Sequence, residues 1–146
     1  MKATQSGNQN LDLLQQIYDN ALTGQHAISA MTCRADSGFC AELETQKNEY
    51  GRIAGSAQQY AQAGGQQLRG IGKFQCLGIT VGTKIGAISQ NTSHLAEMVI
   101  EGSNMGIIDI TRCKKRCAEA SDAAKNLAEH LLTFEQQSIE RMKEYL

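Results

Sequence analysis

Proline and tryptophan are absent from this chain, and aromatic residues make up only 5% of it. Without proline the strongest helix breaker is missing, and so few aromatics argue against a strand-rich fold. Neither sign of charge dominates, with 14 basic residues against 15 acidic ones. Nucleic-acid binding, which needs a dominant basic face, is therefore not expected. There is also no uninterrupted apolar run of the ~20 residues that a membrane span needs. The least charged stretch, residues 71–90, is broken by Lys73, Lys84 and four glycines after Ile71. Met1 to Asn10 is polar and lacks the apolar segment of a secretory signal. These absences predict a cytoplasmic chain with no membrane partner. Gly70-Ile71-Gly72 lacks the rest of a phosphate-binding loop, and no Ser/His/Asp arrangement stands out, so enzymatic activity is not expected.

What is present is helical periodicity. At 146 residues the chain fits one domain with a real core. Asn10 reads as an N-cap, followed by Leu11, Leu14, Ile17, Tyr18, Ala21, Leu22 and Ile28 on one face, to about Thr32. Asp36 or Ser37 starts a second helix with Phe39, Leu43, Tyr50, Ile53, Ala57 and Ala61 as its stripe, stopped by Gly64-Gly65. Thr92 or Ser93 caps a third helix to about Cys117, and Ser121-Asp122 starts a fourth. Between the second and third, Phe74, Leu77, Val81, Ile85 and Ile88 recur at helical spacing, which predicts a short, weak helix. The expected fold is all-α: a four-helix up-down bundle of ferritin-like appearance with a long, partly helical connection between helices two and three. Residues 1–9 are expected as a flexible tail and 10–146 as the single domain.

Four of the five cysteines fall in two close pairs, Cys33 with Cys40 and Cys113 with Cys117. In an alternating up-down bundle both pairs lie at the same end, where four thiolates would suit a tetrahedral zinc or iron site. Arg112, Lys114, Lys115 and Arg116 around the second pair are expected to lower thiol pKa values. Separate thiols and disulfides remain open at this point, as does a redox role. Cys76 stands alone and reads as a core residue.

Carboxylates on apolar stripes form the other candidate group. Glu135 lies near the centre of the fourth helix's apolar face, and Gln46 on that of the second, between Leu43 and Tyr50. Buried groups of this kind must be neutral, hydrogen-bonded, paired or metal-bound. A di-iron bundle site uses Glu-x-x-His on two helices. This chain has only the reverse order, His94-Leu95-Ala96-Glu97, with Glu49 as a further candidate ligand. The plain alternative is a polar network joining Glu135, Asp109 and Gln46. His130 has no obvious acid partner in sequence. Met98 to Ile110 is mostly core, yet its small residues and all-round apolarity also permit a self-association surface.

The stretch from His94 to Thr111 resembles a signature of small uncharacterised proteins from clostridia and related Firmicutes. The likeness extends to Leu11–Tyr18, to Gln46-Lys47-Asn48-Glu49-Tyr50 and to Glu135–Leu146. It implies an intracellular helical bundle of ferritin-like appearance with no assigned activity, and Gln46, Glu49, His94, Glu97, Asp109 and Glu135 as its motif positions. The cysteines depart from that pattern. The expected function is a non-catalytic bundle that self-associates or binds a protein partner. The alternative is a Zn or Fe protein using the four cysteines or the core carboxylates.

Overall fold

The computed structural model of the chain describes residues 2–32, 37–70 and 91–146, with side chains in the first helix from Ser6 to Met31. Four helices carry these residues: α1 (Lys2–Thr32), α2 (Ser37–Ala63), α3 (Thr92–Arg116) and α4 (Asp122–Lys143), with no strand among the described residues. None of these helices is long and apolar enough to cross a membrane. The expected weak helix within 71–90 lies outside the described residues, as do Cys33 and Cys76.

Local chemistry fixes the helix ends. α2 stops where Gly65 takes a left-handed φ of 72°. That turn lets Gln66 N donate to Ala61 O (2.8 Å) and Gly65 N to Gln62 O (2.9 Å), satisfying two end carbonyls. The cap of α3 is Asn91, one residue before the expected Thr92, and its side chain accepts from His94 N at 3.3 Å. Ser121 caps α4 as expected, accepting from Ala124 N at 3.2 Å. α1 begins at Lys2 rather than at Asn10. Asn10 is inside the helix, and its carboxamide serves a tertiary contact instead.

Each helix buries one stripe. Leu13, Leu14, Ile17, Ala21, Ile28 and Met31 of α1 meet Phe39, Leu43, Tyr50, Ile53 and Ala57 of α2, the most extensive helix pairing after which comes α3 on α4. α1 also packs on α3 and α2 on α4, which leaves α2 and α3 on a diagonal. Small buried residues, including Ala96, Gly106, Ala124 and Ala128, take up little room between the helices.

Hydrogen bonds between helix ends set the directions. Ser6 Oγ donates to Glu119 O (2.8 Å), and Glu119 N donates to Gln9 Oε1 (2.8 Å). Ser121 donates to Asn10 Oδ1 from both N (3.1 Å) and Oγ (2.6 Å). The start of α1 therefore sits on the α3–α4 turn. Beyond α2, Arg69 N donates to Gln15 Oε1 at 2.8 Å, so the end of α2 is at this end as well. At the opposite end Phe39 packs edge-to-face on Tyr145, with ring centroids 5.0 Å apart. α1 and α4 thus run one way, α2 and α3 the other. The order is up-down-down-up, not the alternating order expected. Residues 64–91 make this accessible: extended at ~3.3 Å per residue they reach about 90 Å, twice the ~40 Å length of α2.

The Asn10–Ser121 contact tests this arrangement. Asn10→Ala and Ser121→Ala should each destabilise the chain by about 1 kcal/mol. In a double-mutant cycle read by denaturant unfolding they should couple by about 0.5 kcal/mol or more. Strict additivity would mean that α1 does not begin at the α3–α4 turn.

Candidate functional site: a polar seam between α2 and α4

The facing stripes of α2 and α4 carry a ladder of polar pairs. Arg141 Nε donates to Glu42 Oε1 (2.7 Å), which also accepts from Gln46 Nε2 (3.1 Å). Ser138 Oγ donates to Gln46 Oε1 at 2.7 Å. One rung further, Tyr50 Oη donates to Glu135 Oε1 at 3.2 Å. At the solvent edge His130 Nε2 lies 2.6 Å from Glu49 Oε1, and Arg52 Nη1 donates to Glu49 Oε2 at 3.2 Å. Antiparallel packing makes the ladder regular, because residues one turn further along α2 meet residues one turn earlier on α4. Gln46 and Ser138 are fully buried, so each needs the other.

Glu135 is 1% exposed in the middle of the bundle. Its place depends on Gly106 of α3. A Cβ there would stand 2.5 Å from Glu135 Oε1 and 2.7 Å from Oε2, inside any real contact distance. Asn20 Nδ2 of α1 donates to Gly106 O at 3.2 Å and lies beside the same carboxyl. Tyr50 is fixed from two sides: its ring meets Phe134 at right angles with centroids 4.8 Å apart, and it fills the space over Gly24. Glu135 Oε2 and Ser103 Oγ are both buried and make no hydrogen bond. Burial above all, helped by the nearby charge of Asp109, pushes the Glu135 pKa up to about 8. The Tyr50 hydroxyl and the Asn20 amide pull the other way without prevailing. The carboxyl is therefore mostly protonated at neutral pH. Burial, then the proximity of Glu135, likewise raises the Tyr50 phenol well above its ordinary value.

The six motif positions do not form one site. Gln46 and Glu135 share the seam, with Glu49 at its edge. His94 and Glu97 pair with each other at 3.5 Å on an exposed part of α3, and Asp109 is exposed. The hydrogen bond from His130, above all, lowers the Glu49 pKa. His130 therefore has an acid partner, on another helix. Sequence reasoning missed Tyr50, Asn20 and Ser138 as members of the network. The signal that could have found them is the presence of Gly24 and Gly106 deep inside long helices, since a mid-helix glycine is unfavourable unless something must come close.

Of the four expected cysteine ligands, Cys33 lies outside the described residues, and the other three do not meet at one end. Cys113 Sγ and Cys117 Sγ are 3.8 Å apart and buried, with Cys113 Sγ 3.9 Å from Asp12 O near the start of α1. Cys40 is next to Phe39 at the other end, where α2 begins. Because α3 runs down rather than up, Cys40 is separated from Cys113 and Cys117 by most of the bundle, ~30 Å at 1.5 Å per helical residue. Among the described residues no three or more His, Cys, Asp or Glu side chains are grouped to hold a metal ion. Nor does the basic run activate Cys113. Burial and, after it, Cys117 together push its thiol up to about 12, and Arg116 only partly offsets them.

No protein-family model, no curated protein and no solved structure matches the chain.

Two measurements follow from these environments. The folded chain holds the Glu135 proton up to about pH 8, whereas an unfolded chain releases it near the ordinary value of 4.5. Between those limits the folded state binds more protons, so stability falls as pH rises and levels off above about 8. Each pKa unit corresponds to about 1.4 kcal/mol. Denaturant unfolding from pH 5 to 9 should show this decline in the native chain and a much flatter profile in Glu135→Gln; parallel profiles would rule out a protonated core carboxyl. For the thiols, alkylation at pH 8 followed by peptide mass analysis should modify Cys113 at least ~100-fold more slowly in the folded chain than in denaturant. Rates within a few-fold of each other would contradict the burial.

Proposed function

We propose that this protein is a non-catalytic helical bundle that acts by binding another protein surface, and that the outer face of α3 is the contact. One observation carries this reading. Met105 is 58% exposed and Ile108 is 48% exposed, one turn apart on the same face of α3. Large apolar side chains set side by side in solvent mark interaction surfaces more often than scattered ones do. The buried polar groups support a structural role for the core: Gln46 is bonded to Ser138 and Tyr50 to Glu135. A net charge of −1 favours a protein over a nucleic acid as the partner. The same proposal includes a ferritin-like bundle, supported by its single long crossover. It also includes the cytoplasmic setting and the likeness of residues 94–111 to the clostridial bundle family.

A photo-crosslinking amino acid at Met105, in cells that naturally make the protein, should give a discrete protein adduct. The same group at Gln58, exposed on α2, should give none. Equal yields at the two positions would overturn the reading.

A further inference from the structure

We propose that the surface bound by α3 is a second copy of α3, laid antiparallel across a two-fold axis midway between Met105 and Ile108. This rests on the reading above and names its partner. Glu97, Glu101, Met105, Ile108, Arg112 and Arg116 are all exposed. At 100° per residue they fall on one stripe about 100° wide. The opposite stripe, with Leu95, Val99, Ser103, Gly106, Ile110 and Cys113, is the buried one. Read along the exposed stripe, the order is two acids, two apolar residues and then bases, Arg112 and Arg116 with Lys115 beside them.

That order is complementary to its own reverse. A two-fold axis between Met105 and Ile108 brings Met105 onto the partner's Ile108, Glu101 onto the partner's Arg112 and Glu97 onto the partner's Arg116. The next position pairs Met98 with the aliphatic stem of the partner's Lys115. A parallel two-fold pairing would set each charge against itself, so the pattern selects the antiparallel one. Gly102, just outside the stripe, has open space around it and puts no side chain in the way of a neighbour. The apolar pair supplies the contact, and exposed ion pairs, weak individually, fix the register and exclude alternatives. A different protein would require no such symmetry in this helix. Residues 71–90 of the same chain carry Lys73 and Lys84 but no acid, and so offer no charge match for Arg112 and Arg116.

Sedimentation equilibrium on the full chain tests this. The native protein should approach twice the 15.9 kDa chain mass as concentration rises. Glu101→Arg alone, and Arg112→Glu alone, should each weaken the dimer about tenfold or more by setting like charges together. The double variant Glu101→Arg/Arg112→Glu should return to within about threefold of the native dissociation constant, because the swap restores both pairs. Helical circular dichroism should be unchanged throughout, since both positions are exposed. A double variant no tighter than the singles, or singles indistinguishable from the native chain, overturns the antiparallel pairing. A single-chain mass up to roughly 0.2 mM, a concentration that would reveal even weak pairing, overturns the second copy altogether. In that case a crosslinked adduct of a different protein at Met105 would still uphold the α3 contact. Met105→Asp/Ile108→Asp should give the single-chain mass, and a persistent dimer in that variant would place the contact on another face.

Discussion

The carboxyl of Glu135 lies at the dry centre of the bundle, and much of the surrounding packing is arranged around it. A charge there would be very unfavourable without a partner, so the group keeps its proton and takes a hydrogen bond from Tyr50. To make room, α3 presents Gly106, and Asn20 of α1 ties that stretch of backbone in place. Tyr50 in turn needs Gly24 opposite its ring. One residue on α4 thereby constrains α1, α2 and α3, and the constraint fixes how far each helix slides along its neighbours. A one-residue shift of α3 would bring a side chain into the space now occupied by the carboxyl. Ser103 and Glu135 Oε2, buried without hydrogen bonds, mark the same centre as the place where polarity is least compensated.

From this centre the polar seam runs outward along α2 and α4 through Gln46–Ser138 to Glu42–Arg141. Hydrogen bonds are directional and apolar contacts are not, so the seam defines register where the surrounding leucines and alanines would tolerate sliding. The helix ends add a second set of fixed points. Gln9 and Asn10 serve backbone groups of the α3–α4 turn. These contacts, far apart in sequence, determine that α3 descends beside α1. Thermodynamically the long connection permits either direction, since doubling a loop adds only ~0.6 kcal/mol of closure entropy.

α3 is the helix with two assignments. Its inner stripe is made of small and apolar residues that admit close neighbours, and its outer stripe sets Met105 and Ile108 between acids and bases. Within the described bundle, Met105 and Ile108 of that pattern stand in solvent. The proposed two-fold pairing would give this pattern a role and leave the core network intact on association. The proposed function therefore rests on a surface, while the chemically unusual residues of the chain lie in the core beneath it.

Helix positions, the Gly64-Gly65 stop, the Ser121 cap and the placement of Gln46 and Glu135 on apolar faces were legible in the sequence, because each depends on neighbours within one or two turns. The early start of α1 was not, because polar residues such as Ser6, Gln9 and Asn10 are held there by a distant turn rather than by their own propensity. The partners of His130 and Glu135 were likewise hidden, as they come from α2. The cysteines show the limit most clearly. Sequence alone determined that Cys113 and Cys117, four apart on one helix, would share a face. Only the tertiary structure decided that Cys40 is at the opposite end, because the direction of α3 is set by long-range contacts across a connection long enough to allow either choice.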